Sequence, residues 1–119
     1  MHHLAVMDVA QLDPDDLREL KANAAFMAGR LKLMSHPERL LMLCRMDEGE
    51  VSVTELIALC GLSQSAVSQH LALLRESGIV SIRGEAQTRW YSLADPIVRG
   101  LIHAMCALVE GRDEGVHGG

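Results

Sequence analysis

Two sets of residues in this 119-residue chain have the types and spacing to do chemistry. The first is Gln64, Ser65, Ser68 and Gln69 in "GLSQSAVSQHLALL". They fall at i, i+1, i+4 and i+5, on one face of a helix. They are short, uncharged and rich in donors and acceptors, where an ordinary solvated helix face carries Glu, Lys and Arg. Short side chains let a helix approach the floor of a B-DNA major groove, where Gln pairs bidentately with adenine and Ser reaches base edges or phosphates. Ser63 stands at the start of this helix, and His70, next to Gln69, is able to reach a phosphate or a base. The second set is the three cysteines Cys44, Cys60 and Cys106, whose thiols can be oxidised, bridged or used as soft ligands.

The elements that must position these groups are legible from periodicity and punctuation. Residues 1–12 are expected to be a flexible N-terminus and 111–119, "GRDEGVHGG", a disordered tail, leaving one domain over 13–110. Asp13-Pro14-Asp15-Asp16 reads as a helix start, with Leu17, Leu20, Ala24, Met27, Leu31 and Met34 at helical spacing behind it. Ser35-His36-Pro37-Glu38 fits the S-x-x-E capping box and opens a second helix with Leu40, Leu43 and Cys44, ending near Asp47-Glu48-Gly49. Ser52-Val53-Thr54-Glu55 is another S-x-x-E, flanked by Val51 and Leu56 as a hydrophobic staple, and its helix ends at Cys60-Gly61. Ser63 caps the next helix, which is anchored by Val67, Leu71 and Leu74 and stops at Gly78. Two helices joined across Gly61-Leu62-Ser63 have the spacing of a helix-turn-helix.

The period then changes. "IVSIR" and "RWYSL" flank Gly84-Glu85-Ala86-Gln87-Thr88 and predict a β-hairpin. Arg83 and Arg89, with Gln87 and Thr88 between them, suit phosphate or minor-groove contact, although Glu85 opposes it. Asp95-Pro96 opens a last helix to about Glu110. The order predicts a mainly α (α+β) fold, a winged helix-turn-helix with five helices and a β-hairpin wing.

Composition bounds the rest. Apolar residues are 49% of the chain and aromatics 3%, so the core is aliphatic and Met-rich, and so thin a core favours a homodimer. Net charge is −5, yet Gly61–Leu93 carries Arg75, Arg83 and Arg89 against Glu76 and Glu85, a local +1. No 18-residue apolar run and no signal-peptide pattern at Met1–Ala10 are present, so the expected location is the cytoplasm, in association with the nucleoid. There is no Cys-x-x-Cys, no Gly-rich phosphate loop and no nucleophile motif. No catalytic residue, no cofactor and no metal ligand is assigned.

"LKLMSHPERLLMLC", "GEVSVTELIALCGLSQSAVSQHLALLRESGIV" and "EAQTRWYSL" together resemble the ArsR/SmtB family of bacterial repressors, closest to its HlyU/BigR/SqrR/NolR branch. The resemblance covers about residues 20 to 110. It implies a homodimer held by the first and last helices, bound to double-stranded DNA at a palindromic operator until an inducer alters it. Two family metal sites lack their ligands here. The position of a Cys-x-Cys is taken by Glu50-Val51-Ser52-Val53-Thr54. Of a D-x-H…H-x-x-E/H pattern only Asp95 matches, with Ile97 and Leu108 at the two His positions. In the persulfide-sensing members one Cys lies on the second helix and one on the last, and reactive sulfur bridges them. Cys44 matches the first position. The second falls at Glu110, about one helical turn (roughly 6 Å) beyond Cys106.

The expected function is a repressor whose release from DNA is controlled by a Cys44–Cys106 thiol switch responding to reactive sulfur or oxidants, with His103 close by to act on Cys106. Cys60 is expected to be core. The alternatives are a constitutive NolR-like repressor without an inducer, and a metal- or arsenite-responsive repressor. Outside this class stands a protein-interaction module built on the same fold.

Overall fold

The structure is a computed structural model that describes residues 8–118, with side chains from Asp8 to Val109. It divides into two compact units, up to Lys32 and from Leu33 onward. The first unit holds a short 3-10 turn, Val9–Gln11, capped by the Asp8 carboxylate, and most of helix α1, Pro14–Met34. Asp13 accepts from the Asp16 amide at 2.8 Å, the expected N-cap. Of the expected flexible stretch 1–12, residues 1–7 lie outside the described residues, and Val9–Gln11 forms the turn capped by Asp8.

The second unit runs α2 (Pro37–Asp47), β1 (Val51–Ser52), α3 (Val53–Cys60), α4 (Gln64–Glu76), β2 (Val80–Glu85), β3 (Thr88–Leu93) and α5 (Pro96–Gly118). Strands β2 and β3 form the hairpin, with Ile82 opposite Tyr91 and Glu85 opposite Thr88. Strand β1 adds to the free edge of β3, Val51 opposite Tyr91 and Ser52 opposite Trp90, giving the order β1-β3-β2. This third strand escapes a sequence reading because two residues show no alternation. The fold is a winged helix-turn-helix with five helices among the described residues.

The core of this unit is aliphatic and methionine-rich, as composition requires: Met34, Met42, Leu43, Met46, Leu56, Val67, Leu71, Leu74, Ile79, Val98 and Ile102 are all buried. Each such side chain contributes about 1.5–3 kcal/mol by leaving water.

Of the two S-x-x-E motifs, only the second forms a capping box. Ser52 Oγ accepts from the Glu55 amide at 3.2 Å, and the Glu55 carboxylate accepts from the Ser52 amide at 3.2 Å. At the first, His36 is the N-cap in place of Ser35. Pro37 occupies N1, where its missing N–H costs nothing, and this moves the cap one residue on. Helix α5 also departs from expectation. It continues to Gly118, past the predicted end at Glu110, where a disordered tail was expected. The added stretch has no proline, and its glycines lower helix propensity by about 1 kcal/mol each without forbidding it.

Candidate nucleic-acid interface and thiol pair

Helices α3 and α4 meet at 113°. Gly61 makes the turn: its φ is +69°, in the left-handed region that glycine enters freely, and its amide donates to the Ile57 carbonyl at 2.9 Å. Ser63 Oγ then accepts from the Ala66 amide at 3.1 Å, so this predicted DNA contact spends one lone pair as the N-cap of α4. At the other end Gly78, φ +80°, lets the Ile79 amide return to the Leu74 carbonyl at 3.0 Å.

Between these caps α4 has two clean faces. Val67, Leu71 and Leu74 are buried. Gln64, Ser65, Ser68 and Gln69 are exposed, together with Ala72. A cleft of about 360 Å³ lies alongside, lined by Ser68, Ala72 and Arg75 of α4 and by Tyr91 of β3. Thus the Ser/Gln row stands open at the edge of a depression shared with the wing sheet.

Two neighbours of that row are placed differently from expectation. His70 is half-buried and turned toward α2, where Arg39 Nε donates to its Nδ1 at 3.1 Å. It therefore does not lie on the exposed row. Arg83 is held by carboxylates: Nε and Nη2 each donate to Glu50 at 2.9 Å, and Nη1 donates to Glu85 at 2.8 Å. Those bonds push the Arg83 pKa up and hold Glu50 below the usual carboxylate range. The group carries one cation against two anions, so it offers no net positive charge to a phosphate. Arg89, Gln87 and Thr88 remain exposed, Gln87 in the two-residue turn with Ala86 at φ +57°. Spacing could not reveal Glu50, which lies thirty-three residues from Arg83.

Cys44 on α2 and Cys106 on α5 come together across the α2–α5 packing. Both line one groove, both are half-buried, and the Cys106 thiol acts on the Cys44 thiol. Despite its one-turn displacement from the family position, Cys106 shares this groove with Cys44. Burial, the Cys106 thiol, and the charges of Asp47 and Glu48 push the Cys44 thiol up to about 12. The pair opens on a groove of about 330 Å³ lined by Leu41, Leu59, Met105 and Val109. His103 Nδ1 lies 3.0 Å from Asp47 Oδ2. Its polar partner is thus a carboxylate. Cys60 is half-buried against the core and does not line this groove, and burial raises its pKa.

Among the described residues no group of three or more His, Cys, Asp or Glu side chains is close enough to hold a metal ion. Asp95, the one residue matching a family metal pattern, accepts from the Ile97 amide at 2.8 Å and the Val98 amide at 3.2 Å, capping α5. No helix among the described residues is long and apolar enough to cross a membrane by itself.

Comparison with known proteins agrees with this geometry. Residues 36–81 match the profile of the bacterial regulatory protein, arsR family. The transcriptional activator HlyU of Vibrio cholerae serotype O1 is 44% identical over 92 residues, covering 77% of this chain and 85% of that protein. The biofilm growth-associated repressor of Agrobacterium fabrum is 40% identical over 92 residues, 77% of this chain and 79% of that one. The solved structure of reduced HlyU from Vibrio cholerae superposes with a TM-score of 0.73 at 43% identity, over 76% of this chain and 96% of its own. The chain belongs to the ArsR family of bacterial transcriptional regulators, DNA-binding proteins of the winged helix-turn-helix type.

Proposed function

We propose that the protein is a homodimeric repressor that binds a palindromic operator in the cytoplasm and leaves it when Cys44 and Cys106 are bridged. Helix α4 is its reading element, with Gln64, Ser65, Ser68 and Gln69 directed at base edges and Arg89 at phosphate. Dimerisation is supported by apolar side chains left exposed within each unit. These are Phe26 (57%) on α1, and Ile97 (54%) and Leu108 (73%) on α5.

The observation that carries the switch is that Cys44 of α2 and Cys106 of α5 line the same groove. With Cys44 kept protonated at neutral pH, Cys106 is the attacking sulfur. It takes the outer sulfur of a persulfide RS–SH, forming Cys106–S–SH and releasing RSH. The Cys44 sulfur then attacks the Cys106 sulfur and displaces hydrosulfide, which takes up the Cys44 proton and leaves as H₂S. The product is a Cys44–Cys106 disulfide, and no other oxidant is consumed. Further sulfane sulfur lengthens the bridge.

Mass spectrometry of the reduced protein after treatment with a persulfide donor tests this. A Cys44–Cys106 crosslink with loss of DNA binding is expected. Free thiols after treatment, or release that survives Cys44→Ser, would leave a constitutive regulator. That second reading is favoured by the raised Cys44 pKa, which slows its chemistry.

A further inference from the structure

His70 is one residue past Gln69 on the reading helix, yet its ring belongs to a polar cluster at the start of α2. Arg39 bridges the two elements: Nε donates to His70 Nδ1 at 3.1 Å, and Nη1 donates to the Leu33 carbonyl at 3.0 Å. The His36 ring lies against the His70 ring, centroids 4.6 Å apart and tilted by 59°. Glu38 completes the cluster, with Oε2 3.0 Å from His36 Nδ1 and its amide 3.3 Å from the same nitrogen.

The chemistry of Arg39 fixes the state of His70. A guanidinium only donates and does not lose its charge in proteins. The Arg39 Nε–H points at His70 Nδ1, so that nitrogen must accept, and the ring is neutral with its proton on Nε2. Protonating Nδ1 sets N–H against N–H and one cation beside another. The charged groups facing His70 come from α2 and its N-cap: Arg39 and His36 oppose its protonation and Glu38 favours it. Burial opposes it most, and the net effect lowers the pKa.

We propose that His70 is a positioning residue, and that its neutral ring, gripped by Arg39, holds α4 to α2 in the orientation that reads DNA. Protonation of His70 releases the grip and weakens operator binding. The proposal rests on the reading of α4 as the DNA-reading helix. It is opposite in sign to a direct contact, since a protonated histidine facing phosphate strengthens binding. A histidine whose folded pKa is lowered binds fewer protons in the clamped state than in the released state. The clamp is therefore at full strength above the ordinary histidine value of about 6.5 and weakens as pH falls below it.

The test uses the full chain and a duplex enriched from a random pool by the wild-type protein at pH 7.5, with affinity measured by fluorescence anisotropy between pH 5.5 and 8. His70→Asn is the informative variant, because its Oδ1 stands near the position of Nδ1 and does not titrate. At pH 7.5 it should bind within about threefold of wild type. At pH 5.5 it should bind roughly tenfold or more tighter than wild type, the scale of one hydrogen bond to a charged group. Arg39→Met should weaken binding at pH 7.5 and abolish the wild-type pH step. Long-range ¹⁵N spectra of the histidine rings add a reading that needs no variant, with the His70 proton on Nε2 at neutral pH. An identical pH step in His70→Asn, tighter wild-type binding in acid, or a proton on Nδ1 each overturns the proposal. If the pool yields no duplex, the reading of α4 itself falls; if it yields one and the step persists in His70→Asn, only the clamp falls.

Discussion

The exposed row of α4 and the thiol groove between α2 and α5 are built on opposite principles. The row is made by one helix and is complete within six residues, Gln64 to Gln69. The groove needs two helices whose cysteines are sixty-two residues apart, and its chemistry exists only because they pack together. A site of the first kind survives small shifts of the fold. A site of the second kind changes whenever those helices move, which suits a reading surface to the first and a sensing surface to the second.

The largest expected effect tests the row. Replacing Gln64 and Gln69 together by Ala should weaken binding to the enriched duplex by about a hundredfold or more, since each bidentate pairing is worth about 1–3 kcal/mol. The melting temperature should stay unchanged, because both side chains are exposed. Unchanged DNA affinity would return the fold to a protein-interaction role. The groove comes next. Cys44→Ser should leave the reduced protein's DNA affinity within about threefold of wild type, as expected for a near-isosteric change at a half-buried thiol, while persulfide-triggered release disappears. If Cys44→Ser also destroys DNA binding, the two regions are not separable.

A smaller effect separates the two wing arginines. Arg89→Ala should weaken DNA binding severalfold and lower the salt slope by about one. Arg83→Ala should leave that slope nearly unchanged, because Glu50 and Glu85 already hold its charge. Equal slopes for the two variants would mean that DNA pulls Arg83 away from its carboxylates. The smallest effect concerns the wing turn. Ala86→Gly should raise thermal stability by about 0.5–1 kcal/mol, since Ala86 sits at φ +57°, where an L side chain is strained. Reading and sensing should both be unaffected.

The two regions were not equally legible in the sequence. The order of helices, the glycine turn at Gly61, the Ser52–Glu55 capping box and the buried face of α4 follow from local chemistry, and local chemistry is written in adjacent residues. His70 and Arg83 have intramolecular partners that the sequence hides for one shared reason. Both have polar side chains near a DNA-reading surface, and their partners, Arg39 and Glu50, are thirty-one and thirty-three residues away. Partners that distant leave no periodic trace. Cys106 shows the reverse case. Counting along α5 puts it one turn from the family's cysteine, but whether two thiols meet is decided by how α2 and α5 cross, which no count along one helix contains.

Arg39 and Cys44 share α2, five positions apart, about 7.5 Å along its axis. One touches the reading helix and the other the thiol groove. In the proposed switch this one helix is the route by which the two regions would be coupled, and such coupling is reciprocal. Whatever factor bridging Cys44 to Cys106 takes from DNA affinity, bound DNA must impose on the equilibrium for forming that bridge. Under the proposed switch, a promoter occupied by this protein would shield its own occupant from the signal, and the unbound fraction would respond first.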